Sequence, residues 1–150
     1  MNRRLWAGVV LVFLVDRLSK FGVLKYLPLY SPVPVWPPFL HFTHIRNYGA
    51  AFGIFQQRTV FLMVAGLALL ALLWWMRKDL LSSTHGRLGM VFLLGGDFGN
   101  LADRLMYGGV IDFIQLPHWP VFNIADICID TGIALLLWHF WKETTVTHAS

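Results

Sequence analysis

Residues 59–76 constrain the fold more than any other part of the sequence, because they form an apolar run without a single charged side chain. A helix needs roughly 17–25 such residues to cross the hydrocarbon core of a bilayer. Three further segments, at about 5–27, 88–107 and 121–141, have a suitable length but carry polar residues. The sequence therefore predicts an all-α polytopic membrane protein, with four transmembrane helices in one membrane-embedded domain over residues 1–150.

The composition agrees with this class of protein. Hydrophobic residues make up 57% of the chain and charged residues only 13%, whereas about 25% of the residues in soluble domains are charged. A net charge of +4 could suggest a nucleic-acid partner, but the basic residues are spread between the apolar runs. Such flanking charges are typical of membrane insertion, so we expect no nucleic-acid partner.

The distribution of basic residues predicts the orientation in the membrane. With four spans, six basic residues beside the span ends fall on one side: Arg3, Arg4, Arg77, Lys78, Arg87 and Lys142. Fewer fall on the other side. The positive-inside rule then predicts cytoplasmic termini, with the loops 28–58 and 108–120 facing outward.

The first outward loop has the composition of extended structure. Five of the seven prolines lie within residues 28–42, which disfavours a helix there. Aromatic and β-branched residues follow around His41 and His44, which we interpret as interfacial loop residues. We expect a small extracytoplasmic β platform between the first and second transmembrane helices.

Acidic residues are concentrated in the membrane part of the sequence. Carboxylates are costly in hydrocarbon, so they usually face a bundle interior and indicate a functional site. Six of the eight acidic residues lie within the predicted spans or beside their ends: Asp16, Asp97, Asp103, Asp112, Asp126 and Asp130.

Two of these acids are expected to meet near the outer face. Gly108 and Gly109 should end the third span, so Asp112 follows that end and Asp126 opens the fourth span. Two carboxylates at a partly dry interface share one proton, because both cannot ionise. The ionised member can activate water while the protonated member polarises a carbonyl, which is the chemistry of aspartic peptide hydrolysis. A purely structural role for two loop aspartates remains the alternative.

Other polar residues favour structural roles. Asp16 and Lys20 stand at i and i+4, a spacing that predicts an ion pair orienting the first span. Asn100 and Asp103 lie on one helix face and could form interhelical hydrogen bonds. Arg104, at the outward end of the same face, could hold a substrate carbonyl or an aspartate. Asp97 receives no role from the sequence.

Other catalytic classes find no support. Cys128 has no neighbouring cation in sequence to stabilise a thiolate and lies in an apolar run. The six histidines show no ligand spacing on a helix, so no metal site and no cofactor are expected.

Ordered motifs extend through nearly the whole chain: DRLSK at 16–20, NYGAAF at 47–52, GG at 95–96, GNLADR at 99–104, GGVIDF at 108–113 and FNIAD at 122–126. With these motifs the sequence resembles the bacterial lipoprotein signal peptidases, also called type II signal peptidases. The resemblance implies an aspartic endopeptidase that cleaves prolipoproteins before a diacylglyceryl-modified cysteine. It also implies location in the bacterial inner membrane, a site near the outer face, contact with membrane lipids, no cofactor and a monomeric chain.

The resemblance assigns roles residue by residue. Asp112 and Asp126 match the catalytic pair, and three residues match positions that contact and position the substrate: Asn47, Arg104 and Asn123. Four match residues that support the site: Asp16, Lys20, Asn100 and Asp103. Two departures are visible. Asp97 stands where the family usually has a small residue, and the return between the catalytic pair is too short for the family's full outward lid helix.

Two other classes of function fit the composition. A proton-coupled transporter or channel subunit would also carry intramembrane acids, but it should have polar groups through the whole membrane depth. A structural assembly subunit would use its polar residues only to join helices, and it should tolerate Asp112→Asn.

Overall fold

The chain consists of five helices and three strands in the part described by the structure, a computed structural model that covers residues 3–49 and 59–147. In chain order the elements are α1 (Arg3–Tyr26), β1 (Val33–Trp36), β2 (Leu40–Asn47), α2 (Thr59–Trp75), α3 (Arg77–Leu80), α4 (Thr84–Tyr107), β3 (Val110–Gln115) and α5 (Ile124–Thr147). The four long helices lie where the sequence predicts the four spans. Part of the NYGAAF motif, from residue 50 onward, lies outside the described residues.

The helices differ in how clearly they could cross a membrane. Among the described residues, one helical stretch, Ile124–Thr145, is both long and apolar enough by composition. Helix α2 is apolar but has only 17 residues. Helices α1 and α4 have 24 residues each, and their charged residues lower the mean hydropathy. The architecture is therefore mostly helical with a small sheet, and the count of four spans stays a prediction.

Helix α4 lies between α1 and α5 because glycines remove the side chains at the contacts. A Cβ atom on Gly96 would lie 2.6 Å from the carbonyl oxygen of Ala125 in α5. A Cβ atom on Gly99 would lie 2.5 Å from Asp16 Oδ2 in α1. Small residues let helices approach closely in this way, and the approach brings the polar residues of the three helices together.

Both ends of α4 are defined by local hydrogen bonds. Ser83 is its N-cap, and the Ser83 Oγ accepts a hydrogen bond of 2.9 Å from the backbone N–H of Gly86. At the other end Gly108 has φ 73°, a left-handed conformation that glycine adopts without steric cost, and its N–H donates to Arg104 O. The chain turns there and enters β3 two residues later.

The sheet is antiparallel in the order β1-β2-β3, with Ile45 of β2 opposite Asp112 of β3. The sequence predicted this platform only between the first two long helices. That prediction was incomplete, because the third strand comes from the connection between α4 and α5. Residues 110–113 are buried in this strand. Ile111 and Phe113 form a core cluster with Val23 of α1, and this packing positions β3 against α1.

Two loop predictions have different outcomes. His41 and His44 were expected in a loop, but both belong to β2. His44 is buried, and its Nδ1 atom lies 3.3 Å from the carbonyl oxygen of Leu27, just after α1. The return from β3 to α5 is short, as the sequence predicts. Residues 116–123 contain a turn and no helix, and Phe122 bridges back to Ile114 through backbone hydrogen bonds of 2.8 and 3.1 Å.

Candidate active site

Asp112 and Asp126 come from different elements and meet on a single asparagine. Asp112 lies in β3, Asp126 lies in the first turn of α5, and Asn123 is the residue that precedes this helix. The Asn123 side-chain amide donates to Asp112 Oδ1 over 2.7 Å, while the Asn123 backbone N–H donates to Asp126 Oδ2 over 3.1 Å. Asn123 is fully buried, so this bridge is shielded from water.

Asn123 and Asp126 also form the start of α5. The Asn123 Oδ1 accepts a hydrogen bond of 3.0 Å from the backbone N–H of Asp126, and the Asp126 carboxylate accepts from the Asn123 N–H in return. This reciprocal pattern is a capping box. The cap that begins the helix thus also fixes the orientation of the Asp126 carboxylate.

The remaining oxygen of each carboxylate accepts from another amide. Asn47 Nδ2 lies 2.8 Å from Asp112 Oδ2, and Asn100 Nδ2 lies 2.8 Å from Asp126 Oδ1. Four neutral N–H donors therefore hold the two carboxyl groups in place. Each oxygen receives one of these bonds and keeps a further lone-pair site that can carry a proton or bind water.

Burial makes Asp112 a weaker acid than an exposed aspartate. Its side chain is only 2% exposed. Burial, and next the negative charge of Asp126, raise the pKa of Asp112 to about 7, although the hydrogen bonds from Asn47 and Asn123 act in the opposite direction. A proton can therefore stay on the pair near neutral pH.

A buried ionic network lies behind the pair. Lys20 Nζ lies 2.9 Å from Asp16 Oδ2, 2.8 Å from Asp103 Oδ2 and 3.0 Å from Asn100 Oδ1. Lys20, Asp16 and Asp103 have no exposed surface. The ion pair predicted from the i, i+4 spacing of Asp16 and Lys20 is present, and it extends to α4 through Asp103. Asn100 connects this network to Asp126.

The same network holds the backbone beside the pair. Asp103 Oδ2 accepts from the N–H of Ile111, one residue before Asp112, over 3.1 Å. Asp16 Oδ1 accepts from the N–H of Ala125, one residue before Asp126, over 3.0 Å. Arg17, which the sequence analysis passed over, also pairs with Asp103. These contacts give Asp16 and Asp103 a defined role in positioning β3 and α5.

A cavity of about 560 Å³ opens beside the two carboxylates. The pair lines it together with Asn47, Asn100 and Arg104, and α2 contributes an apolar wall. Asn123 lies behind the pair and is not part of the cavity wall. The wall residues that the sequence did not single out include Leu62, Ala65, Gly66, Leu69, Trp119 and Phe122. Phe122 begins the FNIAD motif, but no motif or spacing distinguishes the others from the remaining apolar residues of the chain.

Two further acids line this cavity. Asp130 follows Asp126 by one helical turn on α5. Asp97 is 5% exposed, and its Oδ2 atom has no hydrogen-bond partner among residues 3–49 and 59–147. Within the described ranges, neither carboxylate accepts a hydrogen bond from the amides that hold the catalytic candidates.

A separate cluster of possible metal ligands lies at the other end of α5. Among the described residues, Asp79, His139 and Glu143 have ligand atoms within 4.8 Å of one another. The sequence did not predict this cluster, because Asp79 belongs to α3 and only His139 and Glu143 share a helix.

The sequence matches both the profile of a known family and individual members of that family. The profile of a family described as signal peptidase (SPase) II matches residues 8–142. A lipoprotein signal peptidase of Alteromonas mediterranea is 39% identical over 94% of this chain and 81% of its own length. A lipoprotein signal peptidase of Shewanella sp. strain MR-4 is 44% identical over 87% of this chain and 81% of its own.

Solved structures show the same architecture. One described as a bacterial membrane enzyme superposes with a TM-score of 0.86 at 29% identity, covering 94% of this chain and 89% of the other. A second structure with the same description gives a TM-score of 0.77 at 26% identity, covering 91% and 92%. The helices and the small sheet are therefore arranged as in known membrane enzymes.

Proposed function

The chain belongs to the signal peptidase II family and removes signal peptides from prolipoproteins, and we propose that Asp112 and Asp126 carry out this hydrolysis as an aspartic pair. The observation that carries the proposal is the bridge through Asn123, which holds one carboxylate on each side of a single buried residue. Both carboxylates line the cavity. Membership of this family supports neither of the two alternatives, a transporter or an assembly subunit.

The pair works with one proton. The ionised carboxylate takes a proton from water, and the resulting hydroxide attacks the scissile carbonyl carbon. The protonated carboxylic acid donates its proton to the carbonyl oxygen, which gives a neutral gem-diol. When the gem-diol collapses, the C–N bond breaks and the leaving amine takes up the proton that came from water. One gem-diol hydroxyl returns its proton to the carboxylate that had donated to the carbonyl oxygen, so the pair again holds one proton. Because the two groups titrate as a coupled pair, the proton is assigned to the pair and not to one residue.

The surrounding amides keep both carboxyl groups oriented through this cycle. Asn47, Asn100 and Asn123 donate to them but carry no charge of their own. A neutral donor orients a carboxylate without forcing it to stay ionised, unlike a lysine or arginine in the same position. This choice of residue type suits a pair in which each member must accept and release a proton.

The cavity suits a substrate that is held by a lipid. We propose that the bond cleaved is the one before a diacylglyceryl-modified cysteine, with the peptide near Asn47 and Arg104 and the lipid chains in the bilayer. The apolar wall that α2 contributes to the cavity supports this arrangement. Anchoring by the lipid restricts the substrate to two dimensions, which lowers the entropic cost of aligning the bond.

The family places the protein in the bacterial inner membrane, and a finer topology forms part of the proposal. Helices α1, α2, α4 and α5 cross the membrane, both termini are cytoplasmic, and the aspartic pair lies near the outer face. The basic residues on the loop between α2 and α4 support this orientation. We further propose that the chain acts as a monomer, because one chain supplies every residue of the site.

The substrate assignment is tested by incubating the purified protein in detergent with a diacylglyceryl-modified prolipoprotein and with the same precursor lacking the lipid. Mass spectrometry then identifies the product. We expect cleavage of the lipidated precursor alone, with the modified cysteine as the new N-terminal residue. Cleavage at another bond, or equal cleavage of both precursors, would contradict the proposed substrate class.

A further inference from the structure

Three side chains converge at the end of the bundle opposite the aspartic pair. His139 and Glu143 stand at i and i+4 on α5, and Asp79 lies in the short helix α3. His139 Nε2 is 3.7 Å from Asp79 Oδ2 and 3.7 Å from Glu143 Oε1. Thirteen residues separate His139 from Asp126, or about 20 Å along the helix at 1.5 Å per residue. The cluster is therefore separate from the catalytic site.

The His139 ring is buried but its Nε2 atom makes no hydrogen bond. The residue is 2% exposed, and Nε2 has no hydrogen-bond partner among the described residues. A separation of 3.7 Å from each carboxylate oxygen is too long for a hydrogen bond. Buried polar atoms of this kind call for a partner, and here the open side of Nε2 faces two acidic side chains.

The other ring nitrogen is already held. His139 Nδ1 lies 2.9 Å from Ser83 Oγ, which itself accepts from the N–H of Gly86 at the start of α4. When the Nδ1–H donates to Ser83, Nε2 presents a lone pair towards the carboxylates of Asp79 and Glu143. A cation bound among these groups gives His139 Nε2 the partner that it lacks among the described residues.

From this arrangement we propose that Asp79, His139 and Glu143 bind one divalent transition-metal ion, with Zn²⁺ as the favoured ion. One imidazole nitrogen and two carboxylate oxygens are a normal zinc ligand set. Two carboxylates in the ligand set favour a divalent cation. The Asp79 and Glu143 side chains are each 47% exposed, so water can reach the ion and complete its coordination.

The distances require little movement. Tetrahedral ligands at about 2.0–2.2 Å from zinc lie about 3.3–3.6 Å from one another. The two pairs that involve His139 are 3.7 Å apart, and all three ligand atoms lie within 4.8 Å of one another. Rotation of the half-exposed carboxylate side chains is enough to close this difference. Ser83 acts as the outer partner that fixes the ring orientation, as such partners do in known zinc sites.

Such an ion would connect three elements. Asp79 belongs to α3, while His139 and Glu143 belong to α5. Ser83, the N-cap of α4, contacts the His139 ring. The ion therefore cross-links the end of the bundle that lies away from the substrate, and its role is structural. The proposal does not depend on the identity of the substrate or on the aspartic pair.

The test uses the full chain in detergent, with any affinity tag removed, treated with a chelator and then titrated with Zn²⁺ against a chromophoric zinc indicator. We expect one equivalent to bind and to raise the temperature of unfolding. Asp79→Asn, Glu143→Gln and His139→Gln should each weaken binding at least about tenfold. His41→Gln, in β2, is the matched control and should bind as the parent does.

Two results would overturn the proposal. One is the absence of zinc binding by the folded parent protein. The other is binding that persists unchanged in Asp79→Asn and Glu143→Gln. These two side chains are half-exposed, so both variants are expected to fold even if His139→Gln does not. A rise in the unfolding temperature with zinc that is equal in the parent and in both variants would likewise exclude the cluster.

Discussion

Asn123 lies between the two carboxylates, with its side chain 2.7 Å from Asp112 and its backbone N–H 3.1 Å from Asp126. One residue thereby sets both the start of α5 and the relative position of the aspartic pair. The position of Asp112 depends on β3, and that of Asp126 depends on α5. Asn123 is the point where the sheet and the helical bundle are connected at the site.

Replacing Asn123 by alanine should lower activity far more than stability. The change removes a hydrogen bond to Asp112 and the helix cap, and we expect kcat to fall about 10²-fold because the pair loses its alignment. Loss of the cap should cost about 1–2 kcal/mol of stability. Initial rates of prolipoprotein cleavage measure kcat, and unfolding in detergent measures the free energy of unfolding.

Ser83→Ala is the matched control for Asn123→Ala. It removes the N-cap of α4 and the hydrogen bond to His139 at the opposite end of the bundle, so it should cost at least as much free energy of unfolding while leaving kcat near the parent value. Equal losses of activity in the two variants would show that Asn123 acts only as a cap.

Lys20→Met should destabilise the protein strongly. The Lys20 ammonium group contacts Asp16 and Asp103 with no exposure to solvent. Removing one partner of a buried ionic group leaves uncompensated charge and typically costs about 3–5 kcal/mol. Denaturant unfolding in mixed micelles measures this loss. Lys25→Met, five residues further along α1 and exposed, should change the free energy of unfolding little.

Alanine substitutions at two glycines should have different effects, because one glycine lies at the contact between α4 and α5 and the other does not. In Gly96→Ala the new Cβ would lie 2.6 Å from the carbonyl oxygen of Ala125, so the helices must separate. We expect a loss of about 1–3 kcal/mol and a lower kcat, because α5 carries Asp126. At Gly22, inside α1, a Cβ meets nothing within 4 Å, so Gly22→Ala should leave kcat unchanged and should not lower the unfolding temperature, since alanine favours the helix more than glycine does.

The raised pKa of Asp112 predicts how activity depends on pH. The pair needs one proton, and burial together with Asp126 raises the pKa of Asp112 to about 7. We therefore expect kcat to fall as the pH rises through about 7, since the general acid is then lost. A kcat that stays constant from pH 6 to pH 9 would contradict the shared proton.

The same pKa predicts the pH dependence of stability. Asp112 binds its proton more tightly in the folded protein than in the unfolded chain, where its pKa is close to 3.8. Its contribution to stability is therefore fully present below about pH 4 and is lost as the pH rises through about 7. Asp112→Asn does not titrate, so its unfolding free energy relative to the parent should increase over that interval.

The sequence predicts much of this site because its acids stand out against an apolar background. The i, i+4 spacing of Asp16 and Lys20 is local, so their ion pair follows from helix geometry alone. The meeting of Asp112 and Asp126 could be expected from their separation of fourteen positions and from the glycines that end α4.

Contacts between distant segments could not be predicted in the same way. The pairing of Asp112 with Ile45 depends on β3 joining a sheet that begins far earlier in the chain. The cluster around His139 depends on Asp79, which reaches it from another helix. Such contacts follow from packing between elements that are far apart in the chain, and the spacing of residues within one element gives no local signal for it.

The most direct test of the aspartic pair is a gel-shift cleavage assay with a diacylglyceryl-modified prolipoprotein. The parent protein is compared with Asp112→Asn, Asp126→Asn and Asp79→Asn, the last being the same chemical change at a distant aspartate. We expect cleavage by the parent and by Asp79→Asn, and none by the other two variants, which should remain folded. Cleavage that survives in Asp112→Asn or in Asp126→Asn would contradict the proposed catalytic pair.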